Sequence, residues 1–85
     1  MNIEQARVQQ IRDLKTLAEC IILDQWPAFA QRNCALGLYD DLDAKDPYHP
    51  VNMKAGITGV VNKCNAAIQK VNELKDVNEI LSVQL

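Results

Sequence analysis

The sequence predicts an all-α protein: a long, kinked helical hairpin of two to three helices that pairs with a second copy into a four-helix-type bundle. Three observations predict it. Apolar residues recur at steps of three and four along both halves of the chain. A stretch rich in aspartate and proline separates the halves. Both apolar stripes are broader than a single two-helix contact can cover.

The first arm is expected over about residues 2–39. Asn2 is a good N-cap, and Gln5 stands three residues on to complete a capping box. Val8, Ile11, Leu14, Leu17, Ala18, Ile21 and Ile22 then mark one helical face. Pro27 interrupts it: proline has no N–H to give and its ring clashes with the preceding turn, so a kink or restart is expected near Trp26. Asp24 is the expected cap of the restarted segment, with Pro27 in its first turn. Gly37 is a candidate helix terminator.

The turn is expected over about residues 40–50, where Asp40, Asp41, Asp43 and Asp46 accompany Pro47 and Pro50. Pro50 suits the first position of the next helix, with His49 just outside it.

The second arm, about residues 50–85, carries the clearest pattern. Met53, Ile57, Val60, Cys64, Ala67, Val71, Leu74, Asn78, Leu81 and Leu85 are separated by steps of four and three, an unbroken heptad series. Ile57, Cys64, Val71, Asn78 and Leu85 take position a; Met53, Val60, Ala67, Leu74 and Leu81 take d. Such a helix is about 50 Å long at 1.5 Å per residue. Asn78 is the one polar member, and a buried Asn at a is expected to fix register. A parallel two-stranded zipper would set Lys63 against Ile68, Lys70 against Lys75 and Val77 against Ser82, with no attractive pair among them. Val61 and Ile68 at e, and Val77 at g, instead widen the stripe toward a bundle. Gly56 and Gly59 fall early in this arm, where each costs about 1 kcal/mol relative to Ala unless something packs closely there.

Composition supports association. A chain of 85 residues buries roughly 60–65% of its unfolded surface, which leaves a lone copy marginal. With four aromatic residues, Trp26, Phe29, Tyr39 and Tyr48, the core must come from aliphatic side chains. The net charge of −2, with signs interleaved, lacks the basic stripe that a nucleic-acid backbone requires. No apolar run is long enough for a membrane span, and charges precede the most apolar stretch where a secretory signal would be uniform. Three cysteines without a Cys-x-x-Cys pair suit reduced thiols. The expected location is cytoplasmic.

Candidates for chemistry are weak. Asp40, Asp41, Asp43 and Asp46 lack the glycine and spacing of a calcium loop and read as turn caps. Asp40/Asp43 and Glu73/Asp76 have the i, i+3 spacing by which all-α nucleotide pyrophosphohydrolases hold Mg²⁺, but the Glu-x-x-Glu element of those enzymes is missing. His49 is the one histidine, with no third group to orient it beside a thiol. The sequence therefore predicts no enzyme, cofactor or metal. It predicts a homo-oligomeric interaction protein, a small regulator or adaptor, that binds itself and a protein partner but neither nucleic acid nor membrane. The alternatives are a small-ligand-binding bundle and the Mg²⁺-dependent hydrolase. The expected oligomer seam is Ile57, Val60, Cys64, Ala67, Val71, Leu74, Asn78 and Leu81. Trp26, Phe29, Tyr39, Tyr48 and His49 are the expected lining of a pocket at the kink and turn.

Overall fold

The computed structural model describes all 85 residues and is all-helical, 71% helix with no strand. Four helices follow one another: α1 (Ile3–Gln25), α2 (Ala28–Ala35), α3 (Pro50–Glu73) and α4 (Val77–Leu81). Arg7 meets Leu74 at one end and Trp26 meets Gly56 at the other, so α1 and α3 run antiparallel. The resulting rod measures 51 × 18 × 15 Å.

Local chemistry accounts for most boundaries. The Asn2 carboxamide accepts the Gln5 N–H at 2.7 Å and the Gln5 side chain accepts the Asn2 N–H at 3.0 Å, so the capping box forms as the sequence predicts. Pro27 is a true break. Trp26 caps α1, and Pro27 itself is the N-cap of α2, with an extended ψ of 160° and no side-chain cap. Asp24 therefore stays inside α1, contrary to the expected capping role, because α1 runs on through Gln25. Gly37, at φ +77°, ends α2. Its N–H donates to the Cys34 carbonyl at 3.1 Å and the Leu38 N–H donates to Asn33 at 2.9 Å, the paired bonds of a Schellman closure. Pro50 opens α3, and the His49 ring accepts the Val51 N–H at 3.2 Å.

The second arm is not one helix. α3 ends at Glu73; Leu74 adopts an extended ψ of 148°, and α4 starts afresh behind an Asp76 cap that accepts the Glu79 N–H at 3.0 Å. The segment after Glu73 folds back along α1. The Arg7 guanidinium donates to the Leu74 carbonyl at 2.6 Å, and the Gln10 amide donates to the Val83 carbonyl at 2.7 Å. Arg7 thus sets a positive charge on the carbonyl that closes α3, favourable at a helix C-terminus.

Two apolar clusters make the core. The larger joins Ala6, Leu14 and Ala18 of α1 to Cys64, Ala67 and Val71 of α3 and to Ile80 and Val83. The smaller, at the kinked end, joins Ile22, Trp26, Ala30 and Met53. Small residues on the facing helices let the backbones approach, as in close helix pairs generally.

Gly56 and Gly59 separate cleanly. A Cβ on Gly56 would fall 2.2 Å from the Trp26 ring, whereas one on Gly59 meets nothing within 4 Å. Gly59→Ala should therefore stabilise the fold by about 0.5–1 kcal/mol through helix propensity. Gly56→Ala should destabilise it by about 1–2 kcal/mol, the overpacking cost outweighing the same propensity gain. Denaturant titrations of the two variants check this, and equal signs would contradict the packing of Trp26 on α3.

Candidate functional site

The expected seam divides into two parts. Cys64, Ala67 and Val71 are buried against α1, and Val60 packs on both clusters while Ile57 packs at the kinked end. Leu74, Asn78 and Leu81 lie beyond the helix break. Asn78 is exposed in the single chain: once the chain turns back at Leu74, Ile80 and Val83 face the hairpin core in its stead. The residues that sequence reasoning missed are the ones that hold this turn, Arg7 and Gln10.

The aromatic residues do meet, but around each other. Tyr48 stacks on Tyr39 at 5.7 Å between centroids and meets Phe29 edge-on at 6.3 Å. Trp26 is buried, and its indole N–H donates to the Pro47 carbonyl at 3.1 Å. The Asn33 carboxamide donates to the Tyr39 hydroxyl at 3.1 Å. This arrangement pins the turn onto α1 and α2 as a packed end. The groove nearby is lined by Gln31, Cys34, Ala35, Met53, Lys54 and Ile57, with none of the expected aromatics in it. His49 spends its Nδ1 on the helix start.

The acidic residues are used locally. Asp43 accepts the Lys45 N–H and Asp46 the Tyr48 N–H, each at 2.8 Å. Asn52 closes the turn by donating to the Ala44 and Asp46 carbonyls. Glu73 lies at the end of α3 and Asp76 caps α4, so this pair does not share a helical face. Nowhere do three His, Cys, Asp or Glu side chains gather in a way that could hold a metal ion. No helix is long and apolar enough to cross a membrane.

What stands out is a difference between the flanks of the α1/α3 hairpin. Residues 83–85 lie along Leu14, Leu17 and Ile21 of α1 and along Lys63, Ala67 and Lys70 of α3. They cover the g side of the heptad stripe. The e side, with Val61 and Ile68, receives no such cover; Val61 is 42% exposed and Ile68 is half-buried. On α1 the half-buried Ile11 and the 63%-exposed Val8 stand three residues apart on one face.

Comparison with known protein families, with curated protein sequences and with solved structures finds no match. The geometry of this open flank is therefore what a functional reading has to rest on.

Proposed function

We propose that this chain is a non-enzymatic interaction protein that self-associates side by side through the open e flank of its hairpin. In that form it presents a four-helix-type bundle to a protein partner, as a small regulator or adaptor. The observation that carries the reading is the uncovered flank of Val61 and Ile68, on a rod with more surface than its mass calls for. The accessible surface is 5850 Å², against about 5,050 Å² for a compact monomer of this mass. The radius of gyration is 16.2 Å, against about 12 Å for a compact chain of this length. The excess, about 800 Å², matches what one partner contributes to an interface of standard size. Leu36, Leu38 and Val51, each about two-thirds exposed, add apolar surface at the turn end.

Sedimentation equilibrium tests the reading. The chain should be dimeric at tens of micromolar, and its melting temperature should rise with concentration, because folding and association are then linked. Val61→Glu puts a charge on the flank at a position already exposed, so the helix content should persist while the dimer is lost. A concentration-independent melt from a stable monomer would overturn the proposal.

A further inference from the structure

The segment from Leu74 to Leu85 stands on one helical face in the sequence and on another in the fold. In the sequence it prolongs the heptad series of α3 without a gap, through Leu74, Leu81 and Leu85. In the fold it turns back and buries Ile80 and Val83. Nothing covalent enforces the turn. Leu74, Lys75 and Asp76 include no glycine or proline, and Leu and Lys are good helix formers. What holds the folded-back form is tertiary: the Arg7 bond to the Leu74 carbonyl, the Gln10 bond to Val83, and the seats of Ile80 and Val83 beside Ala6 and Leu14.

We infer that residues 74–85 form an exchangeable latch, which a second copy of this chain can supply. If α3 continues as a helix through residues 74–76, the Leu74 carbonyl accepts the Asn78 N–H, which competes with Arg7 for it. The Arg7 guanidinium already leaves its buried Nε without a partner, so its hold is incomplete even when folded back. The straightened segment is about 18 Å long, and its far part extends past the start of α1 with nothing of its own chain beside it. The vacated seat on α1 is open at that same end.

Direction makes the exchange feasible. Folded back, the segment enters its seat beside Arg7 and runs parallel to α1, past Gln10 to Leu17 and Ile21. A straightened segment from a second copy, placed end to end, enters from the same end and runs the same way. The burial of Ile80 and Val83 is then reproduced between chains, the condition that makes swapping a low-cost route to dimers. The occupant is therefore this chain's own latch, and the inference does not depend on the side-by-side contact proposed above.

Two substitutions pull the equilibrium in opposite directions. Lys75→Pro is compatible with the folded-back form, since the Lys75 N–H donates to no carbonyl and Leu74 already has the extended ψ that precedes proline. It forbids a continuous helix. Arg7→Ala removes a bond that the folded-back form makes without competition from a helix N–H. After incubation at high concentration, sedimentation velocity should find an end-to-end dimer that Lys75→Pro abolishes and Arg7→Ala increases roughly tenfold relative to monomer, the weight of a charge-assisted hydrogen bond. Val61→Glu should leave that species in place. Hydrogen exchange should show the amides of Lys75 to Asn78 newly protected in it. An association unchanged in a helical, folded Lys75→Pro would overturn the latch exchange and leave the side-by-side reading standing. Loss of the end-to-end species itself in Val61→Glu would have the same effect. If Lys75→Pro fails to fold, Arg7→Ala decides by itself, and no rise in the dimer would sink the inference.

Discussion

Trp26→Ala should lower the unfolding free energy by about 3–5 kcal/mol, the range for deleting a large buried aromatic. For a chain of 85 residues with a total stability of about 4–13 kcal/mol, that is a large share. Trp26 is 7% exposed and binds three parts of the kinked end at once. Its ring covers Gly56 and packs with Ile22, Ala30 and Met53; its indole N–H holds the Pro47 carbonyl; and its main-chain carbonyl, which the substitution leaves in place, accepts the Gln31 amide at 2.8 Å. Trp26→Phe separates these contributions. The Pro47 carbonyl is near solvent and can be rehydrated, so its lost bond costs little. The ring atoms that lie against Gly56 are those of the six-membered part of the indole, which Phe does not extend as far to replace. The space they leave is where a methyl on residue 56 would go. In the double variant Trp26→Phe/Gly56→Ala the two costs should therefore fall short of their sum by about 1 kcal/mol or more, as expected for contacting sites. Urea titrations of the four members of the cycle provide the check. Strict additivity would mean that the indole does not lie on Gly56.

Much of this architecture is legible in the residues because short-range chemistry decides it. Asn2 and Gln5 cap α1, Pro27 breaks the first arm, Gly37 supplies the left-handed residue after α2, and Pro50 starts α3. The break after Glu73 is different. The heptad period runs straight through it, and the local propensity of Leu74 and Lys75 favours helix. The competing outcome is set by residues some seventy positions away, Arg7 and Gln10, whose partners no local pattern identifies. One signal was present: Asp76 followed three residues later by Glu79, the spacing of a helix start, which the strength of the heptad obscured. The aromatic end shows the same limit. Their places near the start of α2 and along the turn bring Phe29, Tyr39 and Tyr48 together, but whether rings enclose a space or fill it depends on their mutual angles, 20° and 80° here.

Ile80→Ala should cost about 2–4 kcal/mol and should do so at one end of the rod. Ile80 is fully buried, the largest side chain in this protein with no exposure, and it sits in the cluster that includes Ala6, Leu14 and Val71. α4 has only five residues, too few to be helical in water without tertiary contacts, since a helix that short cannot repay its nucleation. Its docking therefore depends on Ile80 and Val83, with the Arg7 and Gln10 bonds adding direction. When Ile80 is cut back, the segment need not stay and bear the cavity; it can leave, and the loss of stability then levels off at the free energy of docking. Two consequences follow from that ceiling. A chain shortened after Glu73 should lose little more stability than Ile80→Ala does, and Val83→Ala added to Ile80→Ala should cost much less than it does alone. Native-state hydrogen exchange should show where the loss falls. The α4 amides should lose their protection, while those around Trp26 and Met53, in the separate cluster at the kinked end, should keep theirs. A uniform loss along both clusters would mean that the C-terminal segment is an inseparable part of the hairpin core, and a cost below about 1 kcal/mol would mean that the segment hardly docks at all.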